Sequence, residues 1–375
     1  MYIMIKYYNE EILKHRISPF FTQFSDLDLD IRYMEVLMEM KAYDAANDVY
    51  THGKHASIRL NNREEMLSLR SLAVSTGREK VPSFKLFERY FSKSQMNYAD
   101  NLINDIFIGP PGLSSNEQKT ALVINALQYE VLFMAALQKM YEAIEGCKSS
   151  NEIRLLSAKQ QWDEAAAFLI GSMEGYQAEG SHDGFLLHNL ARKMCHHFNT
   201  CNEYGNAIVN EEIESLLYAG SFSLNSQSCD ALKDFVSKIE AHLLVPLIQA
   251  SLYASERNSK LTTRTTDPML ASGYIFSRSI LPYIDDVDST SAALINKNLA
   301  FQFVTEPVVD GVAAVYNAFE QALSIMPLTG CKEIGRSSWG NRGLCPTDKS
   351  SANYQGWIRV SIVLSLVCTI IVSIQ

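Results

Sequence analysis

The chain has 375 residues, of which 47% are apolar and 20% charged, and carries a net charge of −9. That length and balance allow one large or two ordinary domains with a real core. The acidity argues against binding a phosphate backbone, which needs a basic face, while it suits cation attraction and a solvated acidic surface equally.

In chain order, the N-terminal "MYIMIKYYNEEILKHR" lacks the apolar run of a secretion signal. Residues 1–29 are expected to be poorly defined, with the true start further upstream. A first helical lobe is expected over residues 30–147. In "IRYMEVLMEMKAYDAANDVY", Tyr33, Leu37, Met40 and Tyr43 recur at three- and four-residue steps, the spacing of one helix face. Asp44 and Asp48 lie one turn apart on another face, and Gly53 is a natural stop. "REEMLSLRSLAV" reads as a further amphipathic helix, and "IGPPGLSSNEQ" as a break. A long helix then follows, capped by Ser114 or Ser115 with Glu117 or Gln118 completing the box. It is apolar on nearly every side, which predicts a central place in a bundle, and Glu130 and Lys139 argue against a membrane span.

A second helical lobe is expected over residues 148–328. It begins with a stripe of Leu155, Ala158, Trp162, Ala166 and Met173 and continues through six further helical stretches. Pro246 predicts a kink in one of them. No run alternates with period two, so the fold class is mainly α with little sheet. "AYDAANDVYTHGKH" and "QWDEAAAFLIGSME" echo one another at an offset of 119 residues, as a duplicated lobe would. Residues 329–356 read as a polar stalk and 357–375 as an apolar membrane-attachment tail. From Val360 to Ile374 the tail carries no charge, and as a helix it would rise about 22 Å, short of a hydrocarbon core of about 30 Å. The small residues Ser350, Ser351 and Ala352 ahead of it fit a GPI-attachment signal; a membrane span and a buried core strand are the rival readings.

Seven cysteines are present. Cys368 lies in the tail, which leaves an even set of Cys147, Cys195, Cys201, Cys229, Cys331 and Cys345 as disulfide candidates for an oxidising compartment. The Cys195/Cys201 and Cys331/Cys345 spacings suit short loops. The alternative is a set of unpaired buried thiols. The sequence holds no GxSxG, HExxH, P-loop or dinucleotide fingerprint, which disfavours an enzyme.

Six strings occur in one order across residues 40–335: "NDVYTHGKHAS" with "LRSLA", "WDEAAAFLIGSMEG", "LARKMCHHFNTC", "VPLIQASLYA", "ALINKN" and "GCKEIG". Together they resemble the algal iron-assimilation proteins, the low-iron-inducible periplasmic family that includes phytotransferrin. The resemblance implies a cell-surface or periplasmic-space protein that captures ferric iron with carbonate as a synergistic anion. Two departures are visible: the family usually begins with a secretion signal, and it often has Asn where His55 stands.

Ferric ion is a small hard acid that prefers anionic oxygen and tolerates imidazole, and a carbonate needs a cation or backbone N–H groups. On that chemistry the candidate metal ligands are Tyr50, Asp44, Asp48, His52 and His55, with Lys54 and Gly53 for the anion. A second group adds Asp163, Glu174 and Tyr176 for metal and Ser172 for the anion. The competing reading is a solvated helix-end loop, with Tyr50, and in the second group Trp162, packed in the core. His182 and Asp183 read as a loop and helix cap, and Cys195 with Cys201 as a disulfide. A metal-free surface adhesion module on the same scaffold is the functional alternative.

Overall fold

The computed structural model describes residues 24–60, 63–92, 97–109, 115–174, 184–261, 266–301, 306–326, 331–337 and 343–344. Residues 1–344 make one compact unit and 345–375 another. The second unit, with the expected tail, lies outside the described residues.

The fold is mainly α, as the periodicity predicts. The first expected helix divides into α1 (Leu27–Glu39) and α2 (Tyr43–His52). Lys41, at φ 61°, takes the left-handed turn between them. The side chain of Asn116 donates to the carbonyls of Met38 and Glu39, which satisfies helix-end acceptors that have no intrahelical partner. The break also changes the buried face. Ile31, Met34 and Met38 enter the core, whereas Met40 is 72% exposed. Residues expected to extend a helix at 63–66 instead form β2 (Arg63–Met66), antiparallel to β1 (Ser57–Leu60). Ser68 then caps the short α3 (Leu69–Ala73) by accepting from the Ser71 N–H. After α4 (Phe84–Tyr90) and α5 (Tyr98–Ile108) comes the central helix.

That helix comprises α6 (Asn116–Ala126), one π turn (Leu127–Val131) and α7 (Leu132–Cys147). Ser115 caps it through the Gln118 N–H. Because it is apolar almost all round, it needs partners on every side. It finds α1 and α12 (Pro268–Val287) against α6, and α8 (Glu152–Ile170) and α11 (Cys229–Asn258) against α7. The expected lobes 30–147 and 148–328 therefore share one core, and the boundary at residue 147 falls between two tightly packed helices. Gly146 permits this approach, since a Cβ there would sit 2.7 Å from that of Ala158. Charge inside the core is compensated. Arg278 Nε on α12 donates to Glu130 Oε1 at 2.8 Å and its guanidinium lies over the Phe91 ring. Burial pushes the Glu130 carboxyl up to about 7 against the pull of Arg278.

The remaining elements are α9 (Leu187–Phe198), α10 (Ile208–Asn225), α13 (Ser289–Leu299), α14 (Val312–Ile325) and α15 (Cys331–Ile334). Trp162 is a core residue, its Nε1 donating to the Leu217 carbonyl. Its ring fills the space left by Gly220 on α10, where a Cβ would lie 2.0 Å from Cζ2. α11 runs unbroken through Pro246. It and the 116–147 helix are long and apolar enough to cross a membrane, but both lie mostly buried in the protein core. The start of the expected stalk is folded: Ile334 and Leu344 are buried, and Gln249 Nε2 donates to the Ile334 carbonyl at 2.9 Å.

Cys147 pairs with Cys229, joining the end of α7 to the start of α11, and Cys195 pairs with Cys201 behind α9. Both are compatible with an extracellular compartment. Cys345 lies outside the described residues, so the expected Cys331/Cys345 loop has no structural account. The two bonds close loops of very different length, 82 and 6 residues apart in sequence. Loop-closure entropy then predicts that Cys147→Ser with Cys229→Ser costs about 4 kcal/mol and Cys195→Ser with Cys201→Ser about 2 kcal/mol. Urea unfolding of the two double variants checks the order.

Candidate functional site

The two echoing stretches meet at one place, the start of α1. α2 ends at Gly53 (φ 74°, ψ 171°) and α8 ends at Gly171 (φ 80°, ψ 179°), the same extended left-handed conformation that only glycine adopts readily. Neither has room for a side chain: a Cβ would lie 2.6 Å from the Leu67 carbonyl oxygen at Gly53 and 2.4 Å from Asp28 Oδ2 at Gly171. The backbone after each glycine presents N–H groups to a carboxylate of α1. Asp30 accepts from the Lys54 N–H at 3.3 Å and the His55 N–H at 2.8 Å. Asp28 accepts from the Met173 N–H at 2.9 Å and the Ser172 hydroxyl at 2.7 Å. Both aspartates are fully buried. Burial raises the Asp28 carboxyl above the usual carboxylate range, with the Met173 and Ser172 hydrogen bonds pulling against it.

These bonds revise the anion site expected from Gly53, Lys54 and Ser172. The N–H groups that would cradle a carbonate already hold the chain's own carboxylates. The Lys54 ammonium instead sits over the Tyr33 ring, 3.6 Å from its centroid.

The expected metal ligands are dispersed. Tyr50 is fully buried, and its hydroxyl donates to Asp100 Oδ1 at 2.8 Å, which Arg70 Nε also approaches at 3.1 Å. Burial, and then the neighbouring Asp100 carboxylate, push the phenol far above its ordinary value. Tyr50 is thus a core hydrogen-bond donor, and its assignment as a tyrosinate ligand is corrected on that ground. Asp44, Asp48 and His52 are exposed on α2, where Asp48 and His52 pair one turn apart at 2.9 Å. Asp163 is half-buried within α8, and Tyr176 lies outside the described residues. Among the described residues, three histidine, cysteine or carboxylate ligand atoms come within 4.8 Å of one another only at Cys195, His196 and Cys201, where the sulfurs are joined as a disulfide.

His55 is placed differently. Its Nδ1 lies 2.7 Å from Asp30 Oδ1. A buried carboxylate taking the Nδ1 proton leaves the lone pair on Nε2, in a side chain that is 34% exposed. The Tyr33 ring packs edge-on against it at 5.9 Å. Burial raises the carboxyl of Asp26, at the N-cap of α1, with His55 and the Ser172 hydroxyl near enough to pull against it.

Glu174, the other expected ligand, is held within the protein. Its Oε2 lies 2.8 Å from His188 Nδ1, and Glu214 Oε1 lies 3.0 Å from His188 Nε2. Both ring nitrogens of His188 are therefore occupied, and the imidazole clamps the loop after α8 to α9 and α10. Burial opposes charge on His188, but the hydrogen bonds to Glu174 and Glu214 outweigh it and carry the group up to about 9. Burial likewise opposes charge on Glu174, and His188 and Arg192 hold its carboxyl below the usual range.

Asp26, Asp28, Asp30, His188 and Glu214 were not among the residues the sequence singled out. The available signal was "DLDLD", three carboxylates at the start of an amphipathic helix, where the helix dipole favours them. No family model, curated protein or solved structure matches the chain.

The histidine clamp has a signed pH dependence. A group whose folded pKa is raised contributes fully below its unfolded value, near 6.5, and loses the contribution as pH rises towards 9. Unfolding free energy should therefore fall between pH 6.5 and 9, and this slope should flatten in His188→Gln. Breaking the buried pair should also lower stability by about 3 kcal/mol at pH 6.5. Urea titrations across that range measure both.

Proposed function

We propose that the chain is a cell-surface ferric-iron-binding protein, with the iron held at the start of α1 rather than at Tyr50. The carrying observation is the Asp30–His55 pair. A buried carboxylate on one imidazole nitrogen of a partly exposed histidine is the arrangement that orients metal-ligating histidines. Asp26 supplies hard oxygen beside it, and Tyr33 supplies a phenol whose ring already packs on His55. Lys54 is the cation for a carbonate bound with the metal. The resemblance to algal iron-assimilation proteins points to the same chemistry, and the disulfides suit the compartment. Attachment through the C-terminal tail, by lipid or as a span, belongs to the same proposal.

The second reading is a metal-free surface module. It is favoured by the self-satisfied turns, in which Asp28 and Asp30 take the N–H groups an anion would use.

The two readings part under ferric nitrilotriacetate titration of the full chain, with and without bicarbonate, followed by metal analysis. The iron reading predicts one tightly held equivalent, enhanced by bicarbonate and weakened at least about tenfold in His55→Ala and in Asp26→Asn. Tyr50→Phe should keep that iron while losing about 1 kcal/mol of stability with its Asp100 hydrogen bond. No iron uptake by the wild-type chain would leave the metal-free module.

A further inference from the structure

A separate group of side chains converges where α10, α11 and α15 meet. His242 Nδ1 on α11 lies 3.6 Å from Glu212 Oε2 on α10 and 3.6 Å from Glu333 Oε2 on α15. At 3.6 Å both are ion-pair spacings beyond the reach of a nitrogen–oxygen hydrogen bond. His242 Nδ1 and Glu333 Oε2 are both shielded from solvent and have no hydrogen-bond partner. Buried polar atoms are nearly always paired, and an absent ion is one standard cause of an exception. Adjacent donors on a tetrahedral ion with bonds of about 2.0–2.1 Å stand about 3.3 Å apart, close to the two spacings seen here.

We propose that Glu212, His242 and Glu333 form a binding site for a first-row divalent cation, zinc being the best-matched probe. One imidazole and two carboxylates are a donor set that zinc accepts, with a fourth position open to water. The cation neutralises two glutamates that burial brings together: desolvation raises the Glu212 carboxyl, and Glu333 raises it further against the pull of His242. The two carboxylate oxygens stand more than 4.8 Å apart, since they do not close a triad with the imidazole within that distance. Tetrahedral donors stand about 3.3 Å apart, so binding draws the two carboxylates together by at least about 1.5 Å. Glu212 and Glu333 have the freedom to do so, with side chains 37% and 34% exposed, and that exposure is also the entry path. The site ties α15, four residues long, to the two long helices beside it. It shares no residue with the proposed iron site and stands or falls independently of it.

The test is isothermal titration of zinc into the full chain, free of any affinity tag and of carbonate, with cobalt(II) absorption as a second readout. One equivalent should bind, giving the visible bands of tetrahedral cobalt, and His242→Ala should weaken it by at least about tenfold. Glu333→Gln, on the short outer helix, should do the same; its circular dichroism controls for folding, and it decides the matter if the His242 variant does not fold. His52→Ala and Asp26→Asn should leave binding unchanged. Absence of zinc binding, or a loss confined to His52→Ala or Asp26→Asn, would overturn the proposal.

Discussion

The arrangement around the start of α1 depends on one kind of interaction, a buried aspartate accepting the N–H groups exposed just after a helix-ending glycine. Asp30 does this for the turn at Gly53, and Asp28 for the turn at Gly171. Two helices far apart in sequence are thereby fastened to a third. Each component is costly alone, since a carboxylate without solvent loses hydration and a loop N–H without a partner is an unsatisfied donor. Together they offset part of both costs. Gly53 and Gly171 are required because any other residue strains at that φ and meets the partner backbone or Asp28 itself.

A recurring pairing accounts for much of the polar core. Tyr50 donates to Asp100, Tyr283 to Glu240 and Tyr316 to Glu256, all buried. In a helical bundle with charges inside, a phenol supplies a donor at the end of an apolar body, which suits the edge of a packed layer. These three tyrosines thus have structural work to do without reference to iron. The buried Arg278–Glu130 pair at the π turn follows the same logic with full charges, and the guanidinium is further covered by Phe91.

The helical class, the Ser115 cap, the stop at Gly53, the core position of Trp162 and the Cys195–Cys201 bond were all legible in the sequence. Each is set by local pattern or spacing. The split at Lys41 was not, because it depends on a neighbour distant in the chain, Asn116 on the end of α1; nor was the hairpin at residues 57–66, closed by the Leu67 N–H on the Ala56 carbonyl, since neither strand alternates with period two. The division into two lobes missed that a helix apolar on every side must be covered by both halves of the chain. At the start of α1, the sequence pointed to the turns that the fold brings together but not to the carboxylates that join them. "NDVYTHGKH" and "AFLIGSME" do converge, but the carboxylates that join them come from a helix start that carries no motif. Tyr50 looked available because periodicity gives a face and not its depth. His55 could be assigned a partner only once Asp30 was seen beside it.

Amide hydrogen exchange at Lys54, His55 and Met173 tests most directly whether the chain's own carboxylates fill these turns. If they do, the His55 and Met173 amides exchange slowly in the wild-type chain and bicarbonate leaves them unchanged. Asp30→Asn then speeds exchange at Lys54 and His55, and Asp28→Asn at Met173. Protection that appears only with bicarbonate, and is indifferent to both substitutions, would contradict the account.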